Sequence, residues 1–214
     1  MVATAVAKTQ DGEKLSSRDQ LLKAAGALMT ERSTIDISLS DIARKSGLNS
    51  ALVKYYFGSK NGLLLALVKD VLGKGIQQMD GLLEMELNPV EKLKLHVKAI
   101  INVYFRFPYV NRLIHYMFED PELGREVAET ISKPLAETQR LLLEDGIAKG
   151  VFKPVDPMMF YFIILGACDQ LFFGQHILRS AFGIAEIDDN LRRRYTATLL
   201  DVILIGIVAD KPAG

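Results

Sequence analysis

From residue 17 onward, apolar residues recur at three- and four-residue intervals, and no stretch keeps the two-residue alternation of a paired strand. In "SRDQLLKAAGALMTER" the stripe is Leu21, Ala25, Leu28 and Met29, and Ser17 with Gln20 has the spacing of a capping box. A second helix starts at Ser38, with Asp41 three residues on, and stops at Gly47. A third starts at Asn49 and ends before Gly58; Ser59 then caps a longer fourth, "KNGLLLALVKDVLGKGIQQMDGLLEME". Further helical stretches cover Pro89–Phe107, Tyr109–Phe118, Glu122–Gly150, Pro157–Phe182 and Asp188–Val208. Pro134 lies inside the third of these, which predicts either two helices or one kinked helix. The pattern predicts an all-α protein. Residues 1–15 read as a disordered tail, 16–62 as a three-helix helix-turn-helix domain, and 63–214 as a larger helical domain.

The chemistry concentrates in "SLSDIARKSGLNSALVKYYFGSK". Ile42 and Ala43 face inward, Leu48 covers the turn, and Val53 with Phe57 anchors the third helix by its i, i+4 spacing. Asn49, Ser50, Ala51, Lys54 and Tyr55 are left facing outward. A helix this short and lightly decorated fits a DNA major groove, with its first turn nearest the base edges. Asn49, Ser50 and Ala51 are therefore candidate base readers. Tyr55 and Tyr56 direct hydroxyls, and Lys54 a charge, at backbone phosphates. Lys60 enters at the start of the fourth helix, where free N–H groups also favour an anion. Ser38, at the start of the second helix, joins this DNA-facing set.

Overall charge does not point to a nucleic acid, because Lys+Arg and Asp+Glu are both 26. Its distribution changes the picture: residues 1–65 carry nine basic and six acidic residues, a net +3, and the remainder nets −3. The one cysteine, Cys168, excludes an internal disulfide and fits a reducing cytoplasm. The N-terminus lacks a signal-peptide core, and the longest apolar run, Met158 to Cys168, is too short to cross a bilayer. These features predict a cytoplasmic protein with no membrane partner. No phosphate-binding loop, G-x-S-x-G elbow or metal-spaced His/Cys cluster appears, so no enzyme, metal or cofactor is expected.

"LSDIARKSGLNSALVKYYFGSKNGL" resembles the DNA-binding signature of the TetR family of bacterial transcriptional repressors. That signature ends in an aromatic-rich "YHHF" followed by "SKEEL". The likeness covers roughly residues 16–68, where turn glycine, aromatic cluster and serine–lysine pair keep their spacing. Beyond residue 68 only helical architecture and length agree. The resemblance implies a homodimeric, Ω-shaped repressor of a double-stranded DNA operator, with a C-terminal ligand-binding and dimerisation domain. Two positions depart from it. Ser33 stands where the family usually has glycine after the first helix, which predicts another turn or a strained serine. Lys54 replaces the first aromatic of the cluster.

Within 63–214, "DPMMFYFIILGACDQLFFGQHILRSAF" is apolar all round if helical, so it must be covered on more than one side. One face carries Ile163, Gly166, Ala167, Gln170, Gly174 and Ile177, small residues suited to a dimer seam. Leu199, Val202, Ile203 and Gly206 would supply the second helix of that seam. The opposite face, with Met158, Phe162, Leu165, Asp169, Phe172 and His176, is assigned to the interior. Tyr104, Phe105, His115 and Phe118 are expected to line the same cavity, which would take a small apolar or aromatic effector. Asp169 and His176 are its expected polar contacts, or else pair within the protein. The alternative is a helical small-molecule-binding or adaptor protein without specific DNA binding.

Overall fold

Side chains that take free N–H groups of a first turn set most helix starts in this protein. The computed structural model describes residues 15–209, apart from the side chains at 74, 77, 78 and 80. The tail expected over 1–15 therefore lies, except for Leu15, outside the described residues. α1 (Ser17–Arg32) is capped by Ser16, which accepts from the Asp19 N–H. The expected Ser17–Gln20 box is thus displaced by one residue, and the Gln20 amide donates instead to the Leu15 carbonyl. α2 (Leu39–Ser46) has the full capping box of Ser38 with Asp41 and ends on Gly47 at φ 71°, a left-handed conformation that glycine adopts without strain. α3 (Ala51–Phe57) begins two residues after the expected Asn49, whose Oδ1 accepts from the Ala51 N–H at 2.8 Å. Ser59 caps α4 (Lys60–Glu84) through the Gly62 N–H, and Asn88 caps α5 (Pro89–Arg106).

α6 (Pro108–Phe118) and α7 (Pro121–Val127) follow, with Pro at the first turn of each. The stretch around Pro134 stays helical. A π-helical turn, Ala128–Ser132, joins α7 to α8 (Lys133–Ala148) where Pro134 has no N–H to give the ladder. The long apolar helix expected over 157–182 is two helices. α9 (Pro157–Phe173) and α10 (Gln175–Phe182) meet at Gly174 with a 66° bend. α11 (Asp189–Ile207) closes the fold. Among the described residues the only β contact is an isolated bridge between Phe152 and Val208. Among the described residues no single helix is long and apolar enough to cross a membrane.

α5 is the central element, packed by α4, α6, α8, α9 and α11. Its Leu93, Val97 and Ile101 join Leu113, Leu143, Ile164 and Cys168 in a core continuous with Leu21, Met29, Ile42 and Val53 of the N-terminal helices. Desolvation in that core pushes the Cys168 thiol up to about 12, so it stays protonated and inert.

Candidate nucleic-acid interface and effector cavity

α3 follows two clasped helices and packs closely on a third. Arg32, at the end of α1, reaches Asp41 at 3.0 Å, and Asp41 also holds the Ser38 hydroxyl and Arg44. The Arg32 and Ser38 bonds keep the Asp41 carboxyl well below the usual carboxylate range, so this clasp between α1 and α2 stays charged. At its other end, α3 meets α4 so closely that a Cβ on Gly62 would lie 2.0 Å from the Phe57 carbonyl oxygen. Only glycine permits that approach. Ser33 adopts the left-handed conformation, φ 52°, as its place in the family's glycine position foretells.

The structure exposes Ser38, Asn49, Ser50, Ala51, Lys54, Tyr55 and Tyr56 together, and leaves Lys60 half-buried. Tyr55 is 78% exposed, and its ring packs edge-on against Tyr56 at 4.9 Å. Phe57 packs half-buried against the core, with the Arg18 guanidinium over its ring. Two details qualify the candidate list. Ser38 is committed to the capping box, and Asn49 Oδ1 to the turn. The exposed Arg44 of α2 adds a cation to this region that spacing on the third helix did not suggest.

In the C-terminal region a cavity of about 470 Å³ opens between α4, α5, α6, the π turn and α9. Tyr104, His115, Phe118, Phe162 and Asp169 line it, as expected. Three other expected residues do not. Phe105 lies under the Arg192 guanidinium, 5.1 Å from its ring centre. Phe172 is core, its ring 5.8 Å from Tyr104. His176 sits exposed on α10, because the bend at Gly174 carries it off the face of α9. Asp169 is bonded within the protein: Oδ1 accepts from the Asn111 amide, and Oδ2 lies 2.9 Å from His115 Nε2. Spacing along one helix missed the α4 wall (Leu72, Ile76, Met79) and the buried His96. A histidine on an otherwise apolar face of α5 was the available signal.

A third surface is apolar and uncovered. Ile163, Gly166, Gln170 and Ile177 are exposed and Ala167 half-exposed, with Val202 and Gly206 exposed on α11. Two expected members are interior. Ile203 is 6% exposed, and Gly174 is buried at the bend, where a Cβ would lie 2.8 Å from the Gln170 carbonyl. Leu199 is half-buried against the core. Ile205, one helical step from Val202, is 80% exposed and was missed.

Two family models match the chain. One, described as bacterial regulatory proteins of the tetR family, matches residues 21–67. Another, described as a tetracyclin repressor-like C-terminal domain, matches residues 86–213. The chain belongs to the TetR family. That is a family of transcriptional regulators and not of enzymes. Among curated TetR-family relatives, the HTH-type transcriptional regulator BetI of Rhizobium meliloti is 35% identical over 89 residues, 42% of each chain. BetI of Stenotrophomonas maltophilia is 40% identical over 55 residues, 26% of this chain and 28% of that one. The chain thus matches less than half the length of these relatives. Two solved structures share the TetR fold over nearly their whole length. FadR from Bacillus subtilis, in complex with stearoyl-CoA, has a TM-score of 0.72 at 19% identity, over 88% of this chain and 98% of that one. A regulator from Saccharomonospora viridis, in complex with choline, has a TM-score of 0.72 at 19% identity, over 91% and 98%.

Proposed function

We propose that this TetR-family chain is a ligand-responsive repressor that binds a two-fold symmetric DNA operator as a homodimer. Residues 16–62 would read DNA and 63–214 bind effector and partner. The observation that carries the reading is the exposure of Asn49, Ser50, Ala51, Lys54, Tyr55 and Tyr56 on and before one short helix, which α4 approaches closely at Gly62. The uncovered apolar stripes of α9 and α11 support a partner copy, since surfaces of that kind mark interaction sites.

Helix α6 supports a coupling between cavity and DNA. Ile114, His115 and Phe118 line the cavity. On the same helix, Tyr109 packs on Gly26, Arg112 donates to the Ser33 carbonyl, and Tyr116 lies 3.5 Å from Asn61. A ligand that favours one placement of α6 would therefore tilt α1 and the first turn of α4, changing the spacing of two reading heads. It does so only by binding the two arrangements with different affinity.

The test is salt dependence. With about four phosphate contacts per protomer, log affinity against log salt should have a slope of roughly −7. Lys60→Ala should weaken binding to all sequences alike and flatten the slope by roughly 2 per dimer. Unchanged affinity and slope would remove Lys60 from the phosphate clamp.

A further inference from the structure

His96 is the one histidine inside the molecule, 1% exposed, and it lines the effector cavity. Burial lowers its pKa to about 4, so the ring is neutral at pH 7. Its Nε2 lies 3.0 Å from Gln139 Nε2. With the Gln139 amide oriented so that its nitrogen faces the ring, and its Oε1 left without a partner, His96 Nε2 accepts and the single proton of the neutral ring sits on Nδ1. That N–H has no partner. A buried donor left unpaired is costly, and such groups are few in folded proteins.

The rest of the wall narrows what the donor could meet. Leu72, Ile76, Ile100, Val103, Ile131 and Leu165 make it apolar, and no lysine or arginine lines it among the described residues. Its one carboxylate among the described residues, Asp169, already holds the Asn111 amide and faces His115. Among these described side chains an anionic head finds no lysine or arginine, and a cationic head no free carboxylate. The π turn at Ala128–Ser132 contributes to the same wall, an irregularity of the kind that accompanies functional sites.

We infer that the cavity takes an uncharged lipophilic ligand carrying one oxygen acceptor, a ketone, ester or alcohol oxygen, which accepts from His96 Nδ1–H. This rests on the reading of the cavity as the effector site. The probes are three twelve-carbon chains with different heads: 2-dodecanone, dodecanoate and dodecyltrimethylammonium, each titrated calorimetrically below its micellar concentration into the whole protein. The ketone should bind at least tenfold tighter than either ion. His96→Phe should weaken the ketone about tenfold and leave the two ions unchanged. In the unaltered protein, nitrogen NMR should show His96 protonated at Nδ1 and a shift of that resonance when ketone is added. That measurement stands even where the variant folds poorly. An ion binding as tightly as the ketone, no binding by any probe, or a proton found on Nε2 would overturn the proposal. Operator release is read separately: tight ketone binding without release would refute the effector-site reading and leave the ligand class standing.

Discussion

Burial holds the His96 imidazole near a pKa of about 4, against an ordinary 6.5. The unfolded chain therefore takes up a proton as pH falls through 6.5, while the folded chain resists until about 4. Stability contributed by the neutral ring is complete above 6.5 and declines between those values. The difference corresponds to roughly 3 kcal/mol. Urea unfolding at pH 7 and pH 4.5 should show a steeper loss for the unaltered protein than for His96→Phe, which has no proton to gain. Parallel losses would mean that other groups carry the acid sensitivity. Sequence alone showed a histidine on a helix, but its environment comes from α8 and the cavity, which no local spacing encodes. The reverse holds for Ser33, whose departure from glycine marked a strained position that the backbone does adopt. Asp169 was legible as a buried polar group in need of a partner. Its partners proved to be Asn111 and His115 on α6, while the bend at Gly174 carries His176 off the face of α9.

At the level of elements, the close approach of α3 to α4 is the most demanding contact in the DNA-binding region. Gly62→Ala would bring a methyl against the Phe57 carbonyl oxygen, so backbone must move. The expected outcome is a loss of specific operator affinity of more than tenfold, with helical content by circular dichroism nearly unchanged. Affinity within about twofold of the unaltered protein would show that α3 does not depend on this contact. The helix-turn-helix was readable because its signals are local: the Ser38–Asp41 box, Gly47 and the serine cap of α4 all act within a few residues. The α9–α10 break was not readable, because a continuous apolar pattern does not distinguish a long helix from two short ones meeting at a glycine. Pro134 signalled a disturbance correctly, and the ladder absorbed it as a π turn.

Across the whole molecule, an uncovered apolar surface on α9 and α11 stands apart from the cavity and from the DNA-facing helix. Ile205 and Val202 are both exposed on α11, with Ile163 on α9, 61% exposed. If two copies bury this surface, Ile205→Glu would place an unpaired charge in the seam, at a cost of several kcal/mol. Sedimentation should then find a folded monomer with operator affinity reduced at least a hundredfold. An intact dimer would move the seam elsewhere. Small residues at helical spacing marked exposed faces of α9 and α11. Ile203 and Gly174 lie in the interior instead, because buried and exposed stripes run side by side on each helix.

The central claim is that two such heads, paired by this surface, read DNA. Selection of protein-bound fragments from genomic DNA, followed by sequencing, tests it most directly. The account predicts one enriched motif with two-fold symmetry, its half-sites about one helical turn apart, roughly 10–10.5 base pairs between centres or a multiple of that spacing. Recovery of fragments with no shared sequence, or of a motif without symmetry, would contradict it.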